Sequence, residues 1–164
     1  MATEIADETA ASPHWLDAAE MRAWRGFIEG SQRLMEVLNR ELQSRHQISL
    51  ADYRILVILS ESPDGSVRMS ELADGILSSR SRLTHQVRRM ETDDLVTRST
   101  CVEDGRGVLA LITPHGRSKL AEAAPTHLNG VRNYLIDLLD AKELDAVGTV
   151  FEKVDAALDA RPEV

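Results

Sequence analysis

Between Ser78 and Met90 the chain reads Ser-Ser-Arg-Ser-Arg-Leu-Thr-His-Gln-Val-Arg-Arg-Met. At about 100° per residue, a helix over this stretch puts Leu83, Val87 and Met90 on one side and Ser78, Ser81, His85, Arg88 and Arg89 on the other. Four arginines and no carboxylate stand here in a chain whose formal charge is −8, so the positive field is local. A guanidinium is a planar fork of donors that fits phosphate oxygens or the O6 and N7 atoms of guanine. Hydroxyls at a helix N-terminus sit where the backbone already favours anions. The chemistry on offer is therefore recognition of an anionic surface rich in acceptors, and the major groove of duplex DNA is such a surface. Ser79, Ser81 and Thr84 fall mainly to phosphates or nearby base edges, and Arg80 belongs to the same DNA-binding set. Arg82, His85, Arg88 and Arg89 are candidates for the groove itself, and the sequence does not say which of them meets guanine.

Other reactive side chains form no comparable pattern. The five histidines, His14, His46, His85, His115 and His127, include no pair at the i, i+4 spacing of a helical metal site, and neither CxxC nor HExxH occurs. No metal or other cofactor is expected. The single cysteine, Cys101, excludes an internal disulfide and reads as a small half-buried hydrophobe in a strand. No Ser/His/Asp set or carboxylate pair has local support, so the chain is not read as an enzyme.

Several elements must hold the arginine-rich helix in place. Immediately upstream, Met69–Ile76 reads as a short helix with Ser70 as a possible cap and Leu72, Ala73 and Ile76 as its apolar face. A connection near Leu77–Ser79 then gives helix-turn-helix spacing. Downstream, Leu95–Val102 and Val108–Ile112 are β-prone runs joined by Glu103-Asp104-Gly105-Arg106-Gly107. They form a hairpin, and a hairpin directly after a helix-turn-helix is a wing. Asp104 and Arg106 flank Gly105, so their side chains can pair and hold the tip in shape.

The remaining chain is helical. Residues 1–13 are acidic and small and are read as disordered or loosely ordered. From His14 apolar residues recur at three- and four-residue steps to about residue 45, where Ser44-Arg45-His46-Gln47 ends the helix. Ser49 caps the next helix, and Ser62-Pro63-Asp64-Gly65 stops it. Thr113-Pro114 starts another, which Pro125 should kink or break. A last helix opens at Asp140 and carries Leu144, Val147, Phe151, Val154 and Leu158 as a stripe. These terminal helices have more apolar surface than one small lobe needs. The simplest disposal is a second copy of the chain, so residues 14–45 and 114–160 are assigned to a helical dimerisation region and 46–113 to the DNA-binding domain. The fold class is mainly α (α+β): a winged helix-turn-helix with a two-stranded β wing.

Composition bounds this reading. With 164 residues, 43% hydrophobic and 4% aromatic, the chain can bury a core built from Leu, Val, Ile and Ala. A pI near 5.1 argues against indiscriminate adhesion to nucleic acid. No apolar run approaches the ~20 residues of a bilayer span, and the acidic N-terminus is unlike a secretory signal, so no membrane partner and a cytoplasmic location are expected.

The motifs together resemble the MarR family of bacterial transcription regulators. The resemblance rests on Ser-Leu-Ala-Asp-Tyr-x-Ile-Leu at Ser49–Leu56, Met-Ser-Glu-Leu-Ala at Met69–Ala73 and Ser-Arg-Ser-x-Leu-Thr at Ser79–Thr84. It continues with Asp104-Gly105-Arg106-Gly107, followed by Leu111-Ile112-Thr113-Pro114-x-Gly116. It implies a ligand-responsive, nucleoid-associated homodimer, most often a repressor, which binds a palindromic operator in double-stranded DNA. Arg106 would then reach into the minor groove. It also implies release by a small aromatic or anionic effector held between the dimer and DNA lobes. His14, Trp15, Arg22, Trp24, Arg25 and Tyr53 have the aromatic and cationic chemistry for such a compound. Two alternatives stay open: a ligand-binding or catalytic helical protein using its arginines for an anionic ligand, and a protein-interaction module.

Overall fold

A computed structural model describes residues 13–76, 78–100 and 107–160. They fall into two compact units, one ending at Arg33 and the other beginning at Leu34. A single helix, α1 (Ala18–His46), has residues in both.

In the first unit, the Asp17 carboxylate accepts from the Ala19 and Glu20 amides at 2.7 and 2.8 Å, while the Glu20 carboxylate accepts from the Asp17 amide at 2.8 Å. This reciprocal cap starts the helix at Ala18, later than the apolar spacing from His14 suggested. The Trp24 and Phe27 rings lie 6.0 Å apart, tilted by 40°.

In the second unit α1 ends at His46, because the next residue, Gln47, has a φ of 58° that breaks the helical run. Ser49 then caps α2 (Leu50–Glu61) through a full capping box with Asp52. The chain continues as β1 (Ser66–Arg68), α3 (Met69–Gly75), α4 (Arg80–Thr92), β2 (Val96–Thr100) and β3 (Val108–Ile112). It closes with α5 (Pro114–Tyr134), a 3₁₀ turn at Ile136–Leu138 and α6 (Ala141–Asp159). The antiparallel sheet has the order β1-β3-β2, with Val67 and Arg98 both opposite Ala110. The hairpin expected from sequence is thus present and gains a third strand, too short to show a period of its own.

The core is a continuous cluster. Leu42 from α1, Ile55, Leu56 and Leu59 from α2, Leu72 from α3, Leu83, Val87 and Met90 from α4 and Val96 from β2 are all fully buried. The three α4 residues are those the sequence assigned to the core. At about 25 cal/mol per Å² of buried apolar surface, each such side chain is worth about 1.5–3 kcal/mol, which fixes α4 against its supports.

Two local expectations are corrected. Ser70 does not cap α3: the helix begins at Met69, with the cap position two residues before Ser70, at Arg68, and no side-chain cap hydrogen bond, because β1 runs directly into it. Pro125 does not break α5, which continues to Tyr134. Both Pro125 and Ala121, whose carbonyl the ring deprives of a donor, are exposed, so water can take the missing bond.

The start of α5 is fixed by close backbone approach. The Thr113 hydroxyl accepts from the Gly116 amide at 2.9 Å and donates to the Asp94 carbonyl at 2.6 Å. The Thr113 amide donates to the Leu95 carbonyl at 3.2 Å. A β-carbon on Gly116 would stand 2.0 Å from that same carbonyl oxygen. At the far end, α6 starts with an Asp140/Glu143 capping box and has no buried residue along its length. No helix among the described residues is long and apolar enough to cross a membrane.

Candidate nucleic-acid interface

The face of α4 opposite Leu83, Val87 and Met90 is exposed at Ser79, Arg80, Ser81, Arg82, His85, Arg88 and Arg89, and half-buried at Thr84. Among the described residues, no carboxylate stands within ion-pair distance of Arg80, Arg82 or Arg88. The one acid of the helix's last turns, Glu91, is neutralised from below: its carboxylate accepts from the Arg98 amide at 3.0 Å and lies 2.7 Å from the Arg98 guanidinium. The open face of α4 is consequently cationic although the whole chain is acidic.

The hydroxyls have local duties as well. Ser79 caps the helix, its Oγ accepting from the Arg82 amide at 3.3 Å, and Thr84 Oγ1 donates back to the Arg80 carbonyl at 2.7 Å. Thr84 thereby spends its hydroxyl proton on the backbone, whereas Ser79 accepts through its cap and keeps its O–H, so Ser79, Ser81 and the free backbone amides of the first turn are the donors open to an anion. Beside that first turn is a cleft of about 270 Å³ whose walls include Arg68, Ser70, Arg80, Thr84 and Gly107. Arg68 was not singled out from sequence. It lies on β1, the strand that the sequence did not reveal.

Arg89 behaves differently from its neighbours. Its Nη2 lies 3.0 Å from Oδ1 of Asp52, the buried acid of the α2 cap, and Gln86 Nε2 donates to the same oxygen at 3.1 Å. Burial works against charge on Asp52, but hydrogen bonds from the Ser49 side chain and amide, from Gln86 and from Arg89 outweigh it and hold its pKa below the ordinary carboxylate value. Asp52 was not singled out from sequence, although its spacing from Ser49 is that of a capping box. Nothing local signals the contact with a helix 37 positions further on.

Of the residues assigned to an effector, His14, Trp15, Arg22, Trp24 and Arg25 are exposed and belong to the first unit. Tyr53 belongs to the second and is buried, its ring 4.5 Å from that of His127 on α5. An open groove of about 630 Å³ runs along these two rings, with Ala124, Pro125, Leu128 and Val131 among its walls. His127 Nδ1 is buried without a hydrogen-bond partner in the structure, and desolvation lowers the pKa of the ring. His127 is therefore a second residue that sequence reasoning passed over. Asp104, Arg106 and Cys101 lie outside the described residues.

The family model described as MarR family matches residues 48–108, a span that contains α2, the helix pair and both flanking strands. Among solved structures, AbsC, a MarR family transcriptional regulator from Streptomyces coelicolor, is 38% identical and superposes with a TM-score of 0.86, covering 91% of this chain and all of that one (100%). A second Streptomyces coelicolor MarR family regulator, solved in complex with DNA, is 36% identical with a TM-score of 0.86 and covers 91% of this chain and 96% of its own. The HTH-type transcriptional repressor YetL of Bacillus subtilis is 20% identical over 147 residues, 88% of this chain and 87% of that protein.

Proposed function

The chain belongs to the MarR family of transcriptional regulators, and from that premise we propose that it binds double-stranded DNA sequence-specifically as a homodimer and represses transcription. The observation that carries the reading is the cationic face of α4: Arg80, Arg82 and Arg88, which have no acidic partner among the described residues, stand on a helix whose opposite face is fully buried. Ser79, Arg80, Ser81, Arg82, Thr84, His85 and Arg88 form its contact surface, with Arg106 entering the adjacent minor groove and Asp104 steadying the turn that carries it. The cleft between Arg68 and Arg80 receives a backbone phosphate. A regulator of similar fold and 36% identity has been solved with DNA, which supports this use of the helix.

The homodimer rests on α6. Val147, Val150, Phe151, Val154 and Leu158 are between 37% and 57% exposed on a helix that buries nothing, and a second copy covers such a stripe most economically. Two α4 helices related by a two-fold axis would meet half-sites about one helical turn apart, so the operator is an imperfect palindrome. A small aromatic or anionic compound releases it by binding one spacing of the two helices better than the other. Such a protein works in the bacterial cytoplasm at the nucleoid.

Selection of bound sequences from random duplex DNA at physiological salt tests the reading. The expected result is one enriched palindromic motif. Binding no better than to heparin would point instead to an anionic ligand, and a selected pool without any motif would remove the operator.

A further inference from the structure

Among the described residues Asp52 is the one charged side chain that is buried, at 6% exposure. Its two carboxylate oxygens serve different helices. Oδ2 accepts from the Ser49 amide at 2.9 Å and from the Ser49 hydroxyl at 2.6 Å, closing the cap of α2. Oδ1 accepts from Gln86 Nε2 at 3.1 Å and from Arg89 Nη2 at 3.0 Å, both on α4. We propose that Asp52 is a positioning residue that fixes the rotation of α4 about its own axis, and that Arg89 belongs to this clamp rather than to the DNA surface.

Leu83, Val87 and Met90 attach α4 along one apolar line, which resists its withdrawal but allows some roll. Gln86 and Arg89, three residues apart, stand off that line and give the helix a second point of attachment. Side-chain ends lie about 5–6 Å from a helix axis, so a roll of about 10° moves them by about 1 Å. A hydrogen bond to a base edge tolerates less than that, since productive sites must be held to within about 0.5 Å. The Arg89 side chain is 62% exposed and that of Asp52 only 9%. Solvent therefore weakens the Coulomb attraction, and the contact matters mainly by satisfying a buried acceptor. Ser49, Asp52 and Arg89 line a small cleft that Asp93 also borders; Asp93 makes no ion pair among the described residues, which leaves Asp52 as the acid that holds Arg89.

This inference rests on the reading of α4 as a DNA-binding helix, and its test separates the two. Wild type, Asp52→Asn, Arg89→Gln and the double variant are titrated with the selected operator and with a mismatched duplex over a range of salt. The clamp predicts that each single change lowers operator affinity 10- to 100-fold and lowers the ratio of operator to mismatched binding. The double variant is no worse than the weaker single, and the salt slope is unchanged. A stability defect alone would reduce the active fraction and leave that ratio intact. A salt slope reduced by about one in Arg89→Gln, with Asp52→Asn binding as well as wild type or better, would place Arg89 on a phosphate and overturn the proposal; so would additive losses. Asp52→Asn also opens the α2 cap, so Arg89→Gln and Gln86→Leu, which leave the cap whole, carry the same comparison if that variant fails to fold. Hydrogen exchange reads the clamp without DNA: Arg89→Gln should speed exchange in α4 and not in α6. Unchanged protection of α4 overturns the clamp, whereas a wild type that selects no motif overturns the functional reading and leaves exchange to decide.

Discussion

At the scale of single residues, α4 divides its arginines between tasks. Arg80, Arg82 and Arg88 have no acidic partner among the described residues, while Arg89 is drawn to Asp52. Arg88→Ala is expected to cost about 1–3 kcal/mol of discrimination at one operator position if Arg88 reads guanine, measured by competition between operator variants. If it holds a phosphate, affinity falls evenly and the salt slope drops by about one; no change in either quantity would remove Arg88 from the interface. His127 yields a prediction about pH. Its pKa is lowered by desolvation, so the folded chain disfavours the charged ring that the unfolded chain accepts. Stability is then fully present above about 6.5, the unfolded value, and falls as pH drops through the window between it and the lower folded value. His127→Phe keeps a ring against Tyr53 and should flatten the change in thermal midpoint between pH 7.5 and 5.5; an unchanged difference would show that another group is responsible. Side-chain roles set by position on one helix, such as those of Leu83, Val87 and Met90, are readable from spacing alone. Asp52–Arg89 and Tyr53–His127 are not, because each joins residues far apart in the chain, and only the tertiary packing brings them within reach.

At the scale of elements, the starts of α2, α5 and α6 were legible because capping is local: Ser49 with Asp52, Thr113 before Pro114, and Asp140 with Glu143 each lie within one turn. The element the sequence concealed was β1, whose three residues cannot show a two-residue alternation, and it was the pairing with β3 that made it a strand. The start of α3 at Met69 was legible, but its cap was assigned to Ser70 because the strand that leads into the helix was not seen. Pro125 misled in the other direction, since its cost depends on whether water reaches the carbonyl one turn earlier. The joint between β3 and α5 depends on Gly116, where an added β-carbon meets the Leu95 carbonyl oxygen. Backbone cannot move aside as a flexible side chain can, so Gly116→Ala should destabilise by about 1–3 kcal/mol. Chemical denaturation would register this as a lower midpoint at unchanged slope, and a variant as stable as wild type would show that the joint is looser than described.

At the scale of the whole molecule, the acidic chain presents one small cationic face on α4, and the proposed dimer would make two such faces act together. Replacing Val150 and Val154 on α6 by Asp places charges in the stripe that a second copy would cover. The expected outcome is a monomer in light scattering and operator affinity reduced at least 100-fold, since the two half-sites no longer share one binding event. A variant that stays dimeric would move the interface elsewhere. The sequence disclosed the surplus of apolar helix but not its geometry, because the proposed cover lies on a second chain. A last consequence follows from the shared carbonyl at Leu95. The bend that leaves α4 and the first turn of α5 are pinned to one peptide group, through Thr113 on one side and the missing β-carbon of Gly116 on the other. A displacement of the first turn of α5 that kept these contacts would be passed to Leu95 and so to the end of α4. Under the proposed function, a compound lodged against α5 would act on the operator through that shared peptide without approaching a nucleotide.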